Sequence, residues 1–180
     1  SKTNSSVKNW KFYDGSTAKV LETNEEGKRR YLKIQLNDGT QGWVSDWLIA
    51  EDAQRAVVTT KNIRLYKKAD IAAFSDLKIV FGQKIALGNI VVGGFKKVTY
   101  KGDNEKPQTY WVKEKDIKYI STQDVDYILS EYYTKLQTIE NEDDKEELIE
   151  DIRENEDYIK SPFYSKIVSA EESANINEEE

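Results

Sequence analysis

Lys8-Asn9-Trp10-Lys11-Phe12-Tyr13 returns 53 residues later as Lys61-Asn62-Ile63-Arg64-Leu65-Tyr66: lysine, asparagine, apolar, basic, apolar, tyrosine in both. Self-similarity in a fixed order is a strong fold signal, because it means one supersecondary unit built twice. Three further pairs follow collinearly. Lys19-Val20-Leu21 answers Lys78-Ile79-Val80, Tyr31-Leu32-Lys33-Ile34-Gln35-Leu36 answers Phe95-Lys96-Lys97-Val98-Thr99-Tyr100, and Trp43-Val44 answers Trp111-Val112. The offset widens from 53 residues at the first pair to 68 at the last, so the second copy holds about fifteen more loop residues, with room at 69–76 and 101–109. Loop closure entropy grows only logarithmically with length, so such insertions are tolerated.

Each copy reads as short strands. Tyr31, Lys33 and Gln35 alternate with Leu32, Ile34 and Leu36, then Asn37-Asp38-Gly39 precedes a second run at Trp43-Val44, which is a hairpin signal. Residues 85–92, Gly93-Gly94 and residues 95–100 repeat the arrangement. Asp46-Trp47-Leu48-Ile49 and Lys115-Asp116-Ile117-Lys118-Tyr119-Ile120 are read as a closing one-turn helix and last strand. Short strands, glycine turns and no helical period predict two small barrels in tandem. After them, Val125, Ile128, Leu129, Tyr132, Leu136 and Ile139 recur at helical spacing over 123–139, with Ser121 or Thr122 to start the helix. Leu148, Ile149, Ile152 and Ile159 do so over 143–159, where Ser161-Pro162 is read as a stop. The organisation expected is mainly β: a polar tether at 1–6, a first barrel at 7–52, a second with longer loops at 53–121, an acidic helical hairpin at 122–168 and a disordered acidic tail at 169–180.

The opening Asn-apolar-basic-apolar-Tyr stretch, the Lys-apolar-apolar strand, the aromatic-x-Lys-apolar strand and Gly42-Trp43-Val44-Ser45-Asp46-Trp47-Leu48 together resemble bacterial Src-homology-three-type (SH3-like) domains over residues 7–120. The second copy departs from the pattern in having Tyr110 before Trp111, and the first has Lys11 where Arg64 stands in the second. The resemblance implies SH3-like barrels outside the cytoplasm, attached to cell-wall enzymes or lipoproteins, that hold wall stem peptides or other proteins. It implies a non-catalytic binding or scaffold role here, since the Cys-His catalytic neighbour found in such enzymes has no counterpart in this chain.

Composition narrows the chemistry. With 180 residues and 38% hydrophobic content, two small cores are affordable only if large side chains fill them, and 4 Trp, 11 Tyr and 5 Phe supply those. Without Cys or His there is no thiol nucleophile, no Ser-His-Asp or Cys-His triad, no disulfide and no ordinary zinc site, so neither a metal nor a cofactor is expected. No apolar run is long enough to span a bilayer. Ser1-Lys2-Thr3-Asn4-Ser5-Ser6-Val7 has the polar character of a tether after an export signal or lipid-modified cysteine, and equally of a frayed terminus. Charge is split: 22 Lys and Arg against 14 Asp and Glu up to residue 120, then 5 against 19. A basic front and an acidic back attract each other or seek separate partners.

A groove in such a barrel would lie between the loop after the first strand and the loop before the last. Tyr13, Asp14 and Trp47 of the first copy, and Tyr66 with Trp111 of the second, are the candidate ligand contacts, because aromatic faces offer binding area at low entropic cost. Plain packing competes: Trp43 and Trp111 occupy strand positions suited to a core, and Trp47 could instead seal the interface between barrels. Lys28-Arg29-Arg30, Lys67-Lys68 and Lys96-Lys97 are basic clusters without any nucleic-acid-binding motif beside them, so nucleic acid is not expected as a partner. The carboxylates of 140–157 lack the calcium-loop spacing and read as a solvated helix face. The expected ligand is a peptide, a cell-wall fragment or a protein. The alternatives are a carboxylate-dependent wall glycosidase and a structural protein whose grooves are filled internally.

Overall fold

The computed structural model describes residues 16–60, 62–101 and 107–175. Among them the chain is mainly β, with two antiparallel sheets, one of them curled into a half-barrel, and helices at the C-terminal end. It divides into two compact units, Ser1–Ile49 and Ala50–Glu180.

In the first unit β1 (Ala18–Glu26), β2 (Arg29–Leu36) and β3 (Gln41–Ser45) form one sheet in chain order. The strand expected at residues 8–13, and with it Tyr13 and Asp14, lies outside the described residues. The β2–β3 turn is made by side-chain chemistry. Asp38 Oδ1 accepts from the Thr40 N–H at 2.9 Å, Gly39 sits at φ 85°, and the Leu36 and Gly39 amides bond across the turn. Thr40, through its amide first and its hydroxyl second, holds the Asp38 carboxyl below its ordinary pKa. Leu32, Ile34 and Val44 form the small core, with Leu36 and Ile49 against it. Trp43 lies one residue off that parity, opposite Lys33 on the other face, and is 40% exposed; its expected core position is corrected, since Val44 opposite Leu32 takes the inward place.

The second unit carries β4 (Ala53–Val58), β5 (Asn62–Tyr66), β6 (Phe74–Val80), β7 (Lys84–Val92), β8 (Phe95–Lys101), β9 (Pro107–Lys113) and β10 (Ile120–Ser121). Their order in the sheet is β10-β4-β7-β8-β9-β5-β6. Gly93 and Gly94, both at positive φ, make the two-residue β7–β8 turn, a conformation that favours glycine at both places. Ile63, Leu65, Ile79, Ile85, Leu87, Val98, Tyr100 and Val112 line one face as the core. Trp111, opposite Lys97 on the other face, is only partly buried, so it too is not a core residue.

The halves correspond in register. Trp43 stands opposite Lys33 as Trp111 stands opposite Lys97. Val20 opposite Ile34 is followed by an irregularity, and so is Leu87 opposite Val98. Both third strands run into a 3-10 turn, Asp46–Leu48 and Glu114–Tyr119, which ends in an extended isoleucine, Ile49 or Ile120. This corrects one sequence match: the counterpart of Val20 is Leu87 on β7, and Ile79 belongs to β6, a further strand at the sheet's edge. Strand β4 was missed because Ala56 and Val58 enter the barrel core while Val57 enters a second cluster, which erases the alternation a one-sided strand shows.

That second cluster joins the sheet to the helices α1 (Asp124–Leu136), α2 (Glu142–Glu154) and α3 (Pro162–Asn175). Val57 and Phe81 meet Tyr127, Leu129, Ile149, Ile152, Phe163 and Ile167; Phe81 lies 4.5 Å from the Phe163 ring and 5.4 Å from that of Tyr133. Opposite charges do meet here: Arg55 pairs with Asp124 at 2.6 Å and Lys84 with Glu131 at 2.8 Å, both cations also lying over the Tyr127 ring. Three helices stand where a hairpin was expected. Ser161-Pro162 starts α3, the Ser161 hydroxyl accepting from the Phe163 N–H at 3.2 Å, because a proline is as suited to the first turn of a helix as to its end. The helix continues to Asn175, into the stretch read as a disordered tail. Ile128 and Ile159, expected inward, are exposed.

Candidate functional site

The second unit has an open cleft of about 660 Å³ where three loops meet. The first is the connection from β5 to β6, residues 67–73, cross-braced by its own backbone: the Lys67 N–H reaches Ala73 O at 2.8 Å, the Ala73 N–H reaches Asp70 O, and Asp70 Oδ1 accepts from the Ala72 N–H at 2.9 Å. The second is the Gly93-Gly94 turn, which passes so near the first that a Cβ on Gly93 would stand 3.6 Å from Ala69 O. The third is the junction of β9 with its 3-10 turn, tied to the second by the Glu114 N–H bonding Gly94 O at 2.8 Å. These ties preorganise the cleft before any ligand arrives.

Its lining combines Ala69, Ile71, Gly93, Gly94 and Phe95 with Asp70, Lys113, Glu114 and Lys115. Phe95 is buried and stands edge-to-face on Tyr66 at 5.1 Å; the Lys113 ammonium lies over the Tyr66 ring at 5.3 Å. Tyr66 is itself opposite Trp111 across β5 and β9. Ile71, 66% exposed, also lines the cleft. An apolar floor with both signs of charge around it can seat an apolar side chain while pairing the polar ends of a short segment.

The sequence candidates fall in three places. Tyr66 and Trp111 come together beneath this cleft, but Tyr66 is 4% exposed and supports the floor through Phe95, so it offers no face of its own. Trp47 belongs to the first unit, where it is 60% exposed on the 3-10 turn. Tyr13 and Asp14 are outside the described residues. Phe95, Ile71 and Lys113 were not singled out from the sequence. Ile71 carried a signal, being an isoleucine that follows Lys67, Lys68 and Asp70 in the longer loop of the second copy.

The acidic helix is partly self-paired: Lys145 meets Glu142 at 3.2 Å and Arg153 meets Glu150 at 3.6 Å, each at a spacing of three on α2. Among the described residues no group of acidic side chains is arranged to hold a metal ion, and no helix is long and apolar enough to cross a membrane. No protein-family model matches the chain, and no curated protein matches it.

Proposed function

We propose that the chain is a non-catalytic bacterial binding or scaffold protein that works outside the cytoplasm. In this reading its two halves are versions of one SH3-like barrel, and the second presents the Ile71–Phe95 cleft to a peptide, a cell-wall fragment or a protein partner. The observation that carries it is the position of the cleft. It opens between the loop after the first strand of the repeat and the turn before its last strand, the place the resemblance assigns to a ligand, on a floor of Phe95 backed by Tyr66. The shared register of the halves and their matching 3-10 turns support common barrel ancestry.

The test is a titration of the full chain with soluble wall stem peptides, followed by tryptophan fluorescence. A saturable change is expected, since Trp111 lies beside the floor, and Ile71→Asp should weaken binding by about tenfold or more while leaving the melting temperature in place. Saturable binding that is indifferent to Ile71→Asp, or no binding by stem peptides at all, overturns the reading.

A further inference from the structure

Strand β6 ends the seven-stranded sheet. It pairs with β5, and among the described residues no strand pairs with its other edge. An open edge presents unpaired backbone groups, a template for another strand. The sequence of this one, Phe74-Ser75-Asp76-Leu77-Lys78-Ile79-Val80, is complementary to itself. Laid antiparallel on a second copy with Leu77 at the centre, Asp76 of each strand faces Lys78 of the other and Phe74 faces Val80. Opposite charges and an aromatic against a β-branched residue are both favourable cross-strand pairs.

The surroundings agree with that pairing. Phe74 (58% exposed), Leu77 and Val80 are all exposed, whereas Ser75 and Ile79 point into their own chain. The register irregularity between Arg64 and Tyr66 gives β6 surplus residues opposite β5, and Leu77 is among those pushed outward. Lys78 stands opposite Arg64, one cation beside another, an arrangement that costs free energy until an acid is brought to it. Among the described residues neither Asp76 nor Lys78 forms an ion pair within the chain.

We propose that β6 is the interface of a homodimer, in which two copies of the chain join edge to edge, antiparallel about Leu77. Such a contact is isologous and closes after two copies. Two amides of the strand are already engaged, the Val80 N–H by Gln83 Oε1 and the Leu77 N–H by Ser75 Oγ, each at 3.2 Å. The backbone pairing is therefore short, the side-chain pairs set its register, and the association is reversible and concentration-dependent.

The experiment is sedimentation equilibrium of the full chain from micromolar to millimolar concentration. The wild-type mass should rise from one copy toward two. Asp76→Lys and Lys78→Asp, each alone, set like charges opposite each other twice per dimer and should weaken association by about tenfold or more. Mixed in equal amounts, the two variants should pair with each other, because one strand then carries two cations and the other two anions. Both positions are exposed, and unchanged melting temperatures establish that the variants are folded. A wild-type chain that stays monomeric throughout, single variants that dimerise as well as wild type, or a mixture that does not associate would each overturn the proposal. Capture of an extended peptide from another protein by a monomeric chain would assign the edge to that partner instead.

Discussion

Asp38 shows how one side chain can hold a turn. Its carboxylate accepts the Thr40 amide, and the same bond keeps its pKa below the ordinary value. A carboxyl with a lowered folded pKa adds stability that is present above its unfolded pKa and is lost as pH falls through the folded one. Amide exchange at Thr40, measured by nuclear magnetic resonance and corrected for intrinsic rate, should therefore show declining protection as the pH drops below the usual carboxylate range. Asp38→Asn should abolish that pH dependence. Gly88 makes a different point. It lies at the irregularity of β7, and an added Cβ would stand 3.2 Å from both Lys97 Cβ and Lys97 O of the neighbouring strand. A backbone carbonyl in a ladder cannot move aside cheaply, so Gly88→Ala should destabilise the second unit by about 1–3 kcal/mol in urea denaturation.

At the level of elements, the helices are held to the sheet by apolar burial far more than by charge. Phe163 is fully buried against Phe81 at the centre of the second cluster, and Phe163→Ala should cost about 3–5 kcal/mol. The Arg55–Asp124 pair is short but partly exposed, so Asp124→Asn should cost no more than about 1 kcal/mol. Chemical denaturation of the two variants checks the ranking; equal losses would show that the ion pair matters more than its exposure allows. Much of this was legible in the chain. Leu148, Ile149 and Ile152 on α2 fall where their spacing placed them. Ile128 and Ile159 are misplaced for different reasons: α2 stops at Glu154 and Asn155 is extended, so Ile159 leaves the helical register its spacing assumed, whereas on α1 helical periodicity identifies a stripe but not which flank of it the partner surface covers. Here the aromatic side chains of Tyr127, Tyr133 and Phe163 turn the contact toward themselves.

For the whole molecule, the contrast between the units is one of core size. The first unit has a cluster of three buried aliphatic residues, Leu32, Ile34 and Val44, among the described residues, whereas the second has two large clusters. Local stability follows buried apolar contact. Native-state hydrogen exchange should accordingly find the amides of β1, β2 and β3 opening at lower free energy than those of β5, β8 and β9. Uniform protection across both units would contradict that assignment.

The β2–β3 and β7–β8 hairpin turns and the alternation of their strands were readable from residue order because they depend on local rules: side-chain parity and glycine at positive φ. Two details escaped those rules. Val57 is buried on the face opposite Ala56 and Val58, and its alternation vanishes because two different neighbours, barrel and helices, cover the two sides of β4. Trp43 and Trp111 look like core residues in a linear pattern, yet each is set by the parity of its neighbour, Val44 or Val112, which claims the interior. Which face of a strand is inside depends on what packs across it, and that is decided by contacts distant in sequence.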